Sequence, residues 1–307
     1  MALVITSCTN RKRRPVSPGL HMADMSAAPL EDLASHWGQR LSKEPLRYLA
    51  SEVYGGRNFQ EARTAATKLH AKLIVVSAGL GLIKASTPIP AYGCTVLVGA
   101  RDSVQRRVSG EFSIAAWWHA LAGSSAFSIP LENEVRQETG PLLIALSEVY
   151  LELLAPELMA LPPSDLHRVR IFTGSPIERT PPMFRPFRMP YDHRLDGPDS
   201  SIPGTRSDFA SRALSHFVEL GRGAVPDASL EDDAAVVESA IAPWRAPVRL
   251  ERQRRDDRAM LALIERYWNQ AGGSSTRLLR FFRDELDIAC EQSRFAALAR
   301  QVRESRK

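Results

Sequence analysis

Hydroxyl, thiol, carboxamide and cationic groups follow one another in Ser7-Cys8-Thr9-Asn10-Arg11-Lys12-Arg13-Arg14, directly after the branched apolar run Leu3-Val4-Ile5. The apolar run has the composition of a short strand buried on both faces, and the polar residues leave it as a turn. In an open α/β sheet the crevice beyond the carboxyl ends of the strands is where ligands bind, because small side chains and free backbone N–H groups gather there. A polyanion fits such a mouth. Ser7, Cys8 and Thr9 would contact a substrate, Asn10 would orient a water or bind a leaving group, and Arg11, Lys12 and Arg13 would hold phosphates. A first strand followed by a solvated basic run writes the same pattern.

Three further stretches offer groups to the same crevice. Gly55-Gly56-Arg57 precedes a helix with the apolar line Phe59, Ala62, Ala66 and Leu69; free N–H groups and Arg57 at its start suit a phosphate or carboxylate, or a structural acid. Lys72–Ser77 is a second strand, and Gly79 and Gly81 after it permit close backbone approach. This is not a dinucleotide fingerprint, since the third glycine is missing. Tyr92, ending the rigid segment Pro88-Ile89-Pro90-Ala91, could stack on a base or simply pack. Residues 169–175 form a third strand and Gly-Ser turn. The following proline-rich segment alternates Phe184, Arg185, Phe187 and Arg188, as base-stacking, phosphate-gripping surfaces do. Behind it stands Tyr191-Asp192-His193-Arg194, where Asp192 could activate water or stabilise a cation, with Tyr191 beside the substrate. A loop aspartate bonding its own turn is the plain alternative.

Several elements must position these groups. The chain of 307 residues, 44% hydrophobic and 24% charged, suits a large α/β domain plus a smaller one. No run approaches the roughly 20 apolar residues of a membrane span, and no basic segment precedes the first apolar run, so no membrane partner and a cytoplasmic location are expected. Cys8, Cys94 and Cys290 lack metal-ligand or disulfide spacing, so neither metal nor cofactor is expected. Residues 30–53 read as helical, divided by Pro45. Within 93–160, CTVLV reads as a strand, while FSIAAWWHALA and the whole of PLLIALSEVYLELLAPELMAL read as buried apolar helices. A helix over 209–220 is capped by Thr205 to Asp208.

The cationic excess lies at the end of the chain. Residues 245–307 hold 15 Lys and Arg against 9 Asp and Glu, a net of +6, which leaves −1 for the first 244 residues. Such clustering is the electrostatic footprint of a nucleic-acid contact. Helices are expected over 257–269, 275–290 and 292–303, the last two joined at Ala289-Cys290-Glu291 like a helix-turn-helix, with Arg277, Arg280 and Arg294 facing DNA. The expected organisation is thus a mostly parallel central sheet flanked by helices and followed by a helix-turn-helix-like module. It comprises an α/β catalytic domain at 1–222, a linker at 223–248 and a basic helical DNA-binding module at 249–307.

SCTNRKR after the first strand, YGGR before a helix, SAGLGLI after the second strand, IPAY, and LLRFFRDELDIACEQSRF near the end resemble the Brig-type anti-phage DNA glycosylases. That group is related in its N-terminal half to YaaA, a peroxide-stress DNA-binding protein. The resemblance implies removal of a glucosylated hydroxymethylcytosine from double-stranded phage DNA, leaving an abasic site; no obligate protein partner is implied. This chain departs from the wider group at Gly93, where an acidic residue is common. Cleaving an N-glycosidic bond develops positive charge on the sugar and negative charge on the base. Asn10 and Asp192 are the expected catalytic pair. The target would be flipped out of the duplex, with Tyr92 stacked on it and water as the attacking group. Two other classes fit the same residues: an enzyme acting on free nucleotides or nucleosides, and a non-catalytic DNA-binding protein.

Overall fold

Every residue of Leu3–Ser7 is buried, and this strand, β1, lies at the middle of the sheet that organises the first part of the molecule. The computed structural model describes residues 1–225, 227–248 and 253–306, and its chain divides into two units, Met1–Pro247 and Val248–Lys307. After β1 come α1 (Leu30–Lys43), the short strand β2 (Tyr48–Leu49), the single turn α2 (Ala50–Val53) and α3 (Arg57–Lys68). Strand β3 (Lys72–Ser77) turns back into β4 (Gly81–Lys84), and β5 (Pro88–Ile89) pairs antiparallel with β2. The unit continues through α4 (Ile114–Ser124), α5 (Leu131–Gln137), β6 (Leu142–Ala145), α6 (Glu148–Met159) and α7 (Pro163–Leu166). It ends with β7 (Val169–Phe172), α8 (Phe209–Glu219) and α9 (Leu230–Ile241).

The sheet order is β4-β3-β1-β6-β7, parallel except for the hairpin strand β4. Alternation along each strand feeds two cores. Leu3 and Ile5 join the core built with α1, α4 and α6, while Val4 joins the core built with α3, α8 and α9. Helices on both faces explain why the strands read as unbroken apolar runs. From β1 the chain moves outward to β3 and then crosses to β6, so the winding reverses between β1 and β6. In open α/β sheets ligands bind beyond the carboxyl ends of the strands at such a reversal.

The α/β architecture agrees with the sequence expectation, and three details correct it. PLLIALSEVYLELLAPELMAL is not one helix: Leu142–Ala145 is strand β6, and helix starts only at Glu148. A short apolar run buried on two faces carries no period that separates strand from helix. Residues of CTVLV form no strand beyond a single bridge from Thr95 to Ser103. Residues 223–248 are not a linker. Ser229 and Asp232 make a capping box that starts α9, which buries Val237 and Ile241 in the second core. Asp233 on the same helix accepts from Arg170 Nε on β7 at 2.7 Å and from Arg222 Nε at 2.6 Å, all but out of water.

The second unit holds β8 (Gln253–Arg254), α10 (Asp257–Tyr267), α11 (Ser275–Asp284), β9 (Ile288–Ala289) and α12 (Gln292–Ser305). The first residues of the expected module, 249–252, lie outside the described residues. Met260, Ile264, Leu278, Phe282, Phe295 and Leu298 make its separate core. Gly272 and Gly273, both at positive φ, end the α10 turn, and Ser274 caps α11 by accepting from the Arg277 N–H. Helix α11 stops at Asp284 rather than Cys290 because Ile288–Ala289 pairs in parallel with β8. The joint between α11 and α12 therefore contains a strand, where the sequence suggested a plain turn. No described helix is long and apolar enough to cross a membrane.

Replacing Asp233 with alanine would leave two largely buried guanidinium groups without their carboxylate. The expected loss is about 3–5 kcal/mol of unfolding free energy, measured by urea denaturation; an unchanged midpoint would contradict the role given to α9.

Candidate functional site

The ladder of β1 continues one residue further, with the Cys8 N–H donating to Val76 O at 2.9 Å. The basic run then folds back along the end of α2. Gly55 N donates to Arg11 O and Arg13 N to Val53 O, both at 2.9 Å, and Lys12 sits opposite Tyr54 in an antiparallel bridge. Gly56 takes φ +94°, a conformation that favours glycine, and lets the chain enter α3 at once. With Arg11 and Arg13 pinned through their backbones, the Lys12 side chain turns inward. Its Nζ donates to Thr9 O and lies 5.2 Å from the Tyr54 ring centre and 4.7 Å from that of Tyr92. Among the described residues no carboxylate reaches salt-bridge distance of this ammonium.

A chain of hydroxyls lies beneath it. Tyr54 and Tyr92 share a hydrogen bond of 2.9 Å, and Tyr92 shares another of 2.5 Å with Ser77 Oγ. Ser77 Oγ in turn accepts from the N–H groups of Gly79 and Leu80. The turn after β3 is held from outside as well: Trp37 Nε1 donates to Gly79 O at 2.8 Å and Trp117 Nε1 to Ala78 O at 2.9 Å. Gly79 is required for packing here, since a Cβ would stand 2.6 Å from Tyr92 and 2.8 Å from Cys94. On the far side of β1, Cys8 Sγ and Tyr150 Oη of α6 are 3.3 Å apart, a contact spanning the reversal between β1 and β6.

These surroundings set the charge state of the site. Burial pushes the Lys12 ammonium below its ordinary pKa, against the opposing pull of Cys8, Cys94 and Asp102. Burial also pushes up the phenols of Tyr54, Tyr92 and Tyr150 and the thiol of Cys94, so these four stay protonated. The result is a desolvated amine faced by neutral aromatic hydroxyls, an arrangement that suits proton donation or anion binding.

A second chain of contacts runs from β1 to the opposite helix layer. Asn58 Nδ2 donates to Ser7 Oγ at 3.3 Å, while Ser211 Oγ of α8 donates to Asn58 Oδ1 at 2.8 Å. Sequence reasoning passed over Asn58, although it is the next residue after Arg57 in the first turn behind the glycine pair. Arg57 takes its structural alternative, 3.3 Å from Glu61 and 3.7 Å from Asp208.

Of the residues expected at the site, Ser7, Cys8, Thr9, Lys12, Gly79 and Tyr92 do come together around the ends of β1 and β3. Asn10, Arg11 and Arg13 are exposed in the same loop. Tyr92, however, is fully buried beneath Lys12 and cannot serve as a stacking platform. Tyr191 packs in the other core against Phe172 and hydrogen-bonds His216 Nδ1 at 2.9 Å, away from any substrate role. Asp192 bonds its own turn: Oδ1 accepts from the Arg194 N–H at 2.9 Å, and Arg194 Nε lies 3.0 and 3.1 Å from its two oxygens. Partial burial works to raise its pKa, yet the hydrogen bonds from Arg194 hold it below the ordinary carboxylate value. Asp192 and Asn10 make no hydrogen bond to each other.

The alternating segment is likewise structural. Phe184 is buried, Arg185 donates to the carbonyls of Thr180 and Glu178, and Arg188 donates to Thr180 Oγ1 and Ser175 O. In the second unit Arg294 is occupied by Asp257 at 2.8 Å and by Arg255 O, tying α12 to α10. Arg277 and Arg280 are exposed on α11, Arg280 standing 3.4 Å from Asp284. Among the described residues no group of three or more His, Cys, Asp or Glu could hold a metal. Comparison with protein-family models, curated proteins and solved structures returned no match, so the resemblance to the anti-phage glycosylases rests on the motif residues alone.

Tyr92→Phe removes the hydroxyl that joins Ser77 to Tyr54 in a dry interior. The expected cost is about 1–3 kcal/mol, read as a lowered denaturation midpoint; an unchanged midpoint would show that the hydroxyl chain contributes nothing to the fold.

Proposed function

We propose that this protein is a DNA N-glycosylase of the cytoplasm that flips a modified cytosine out of double-stranded phage DNA and excises it, leaving an abasic site. The modified base taken from the resemblance is glucosylated hydroxymethylcytosine. The observation that carries the proposal is Lys12, a desolvated ammonium beside the carboxyl ends of β1 and β3 that has, among the described residues, no carboxylate partner. Breaking the glycosidic bond sends its electron pair to the departing base, so the step is favoured by a donor placed on the base side. An ammonium whose pKa is lowered by burial gives up its proton more readily than a solvated lysine. In this scheme Lys12 Nζ protonates the leaving base, water adds to the anomeric carbon, and that water's proton passes to solvent. Asn10, exposed at the lip of the same loop, orients the water. Asp192 takes no part in activating the water, since Arg194 already engages its carboxylate. The separate basic unit, with Arg277 and Arg280 exposed on α11, supplies the sequence-independent hold on the duplex.

Lys12→Met would keep DNA binding and lose base release from modified phage DNA, followed as alkali-sensitive strand breaks and by mass spectrometry of the freed base. For the intact protein the rate should fall as pH rises through the lowered pKa of Lys12, below the roughly 10.4 of an ordinary lysine. Full excision by Lys12→Met would remove Lys12 from the mechanism.

A further inference from the structure

A cavity of about 480 Å³ is lined by Ala23, Asp24, Arg101, Arg106 and Arg107, none of which belongs to the Lys12 cluster. Two loop segments form it and are stitched together. Ala23 N donates to Asp102 Oδ1 at 3.2 Å, and His21 Nδ1 lies 3.0 Å from Asp102 Oδ2. Ala28 N donates to Arg107 O at 3.0 Å, while Ser109 N returns a bond to Ala28 O at 2.8 Å. The walls are therefore set before any ligand arrives.

Two of the three cations in this cavity lack internal partners. Arg101 and Arg106 are exposed, and among the described residues neither guanidinium has a hydrogen bond or a carboxylate within salt-bridge distance. Arg107 donates one N–H to Ala23 O, yet its Nε is buried with no acceptor at all. A buried donor left unpaired is costly, and an oxyanion in the cavity would satisfy it. Planar guanidinium groups also match the oxygens of a phosphate two at a time.

Charge narrows the class. Among the lining side chains three arginines stand against Asp24, a net of +2, while Asp102 lies behind Ala23 with both oxygens already engaged by the Ala23 N–H and His21. A phosphomonoester carries close to −2 near neutral pH, whereas a bridging phosphate of a nucleic-acid backbone carries only one charge. Asp24, an acceptor beside the cations, repels a bare anion but accepts from a hydroxyl. The volume falls within the range of small-ligand pockets. We propose that this cavity binds a sugar phosphomonoester of nucleotide size, its phosphate on Arg101, Arg106 and Arg107 and a sugar hydroxyl on Asp24. This site does not depend on base excision and stands or falls separately from it.

Calorimetric titration of the full chain with deoxycytidine 5′-monophosphate, ribose 5-phosphate, deoxycytidine, inorganic phosphate and an unmodified duplex oligonucleotide tests the proposal. Both sugar phosphates should bind saturably and the free nucleoside should not. The exposed double variant Arg101→Ala/Arg106→Ala should weaken the sugar phosphates by about tenfold or more, whereas Lys12→Met should bind them normally. Asp24→Asn should weaken ribose 5-phosphate without weakening inorganic phosphate. Absence of saturable binding by either sugar phosphate, or binding unchanged in the double variant, would overturn the site. If only the duplex responds to loss of the two arginines, the cavity takes a backbone phosphate, and the monoester assignment is wrong.

Discussion

An ammonium group gives up much of its hydration when it leaves water, and a protein that buries one must return donors, acceptors or an opposing charge. At the end of β1 the chain returns the Thr9 carbonyl and the faces of two phenol rings, and no carboxylate. Much of the surrounding construction follows from that choice. The Gly55 N–H and the Val53 carbonyl pin the loop backbone, so that Lys12 cannot swing out with its neighbours. Gly79 lets Tyr92 lie close enough to offer its ring, and Ser77 and Tyr54 fasten the Tyr92 hydroxyl so that the ring cannot tilt away. Both indole N–H groups of Trp37 and Trp117 are spent on holding the turn beneath.

Much of this was legible in the sequence. The apolar runs that became β1, β3 and β7, the polar turn behind β1, the glycine pair before α3 and the close approach at Gly79 all announced themselves through composition and position. The role of Lys12 did not. Four adjacent cations read alike in a sequence, and the one that turns inward is decided by backbone bridging to a segment some forty residues away. Tyr92, which the sequence left between stacking and packing, packs, and Tyr191, expected beside the substrate behind a proline-rich loop, lies in the second core. Arginines were misjudged as well. Arg188 and Arg294 read as DNA contacts, whereas Arg188 is engaged by Thr180 Oγ1 and Ser175 O and Arg294 by Asp257; Arg57 takes the structural-acid alternative that the sequence also allowed.

The errors of architecture have one cause. Strand β6 and helix α9 are defined by what they pack against, not by their own periodicity. Four apolar residues at 142–145 acquire strand character from β1 and β7 on either side. The acidic, proline-bearing stretch around α9 looks like a connector until Arg170 is seen buried on β7 with Asp233 as its counter-charge. A buried arginine on a strand is itself a sequence-visible demand for a carboxylate elsewhere, but nothing in the sequence says which of the many acids will answer it.

Gly93 leaves room for a hydrogen-bonded pair that any larger residue would disturb. A side chain there would collide with His21 at 2.4 Å and with Asp102 at 2.6 Å. Asp102, nine residues downstream, thus occupies the space that a Cβ at 93 would need, bonded there to His21 Nδ1 at 3.0 Å and to the Ala23 N–H at 3.2 Å. A substitution at 93 would therefore have to displace the contact that joins the two segments lining the arginine-rich cavity.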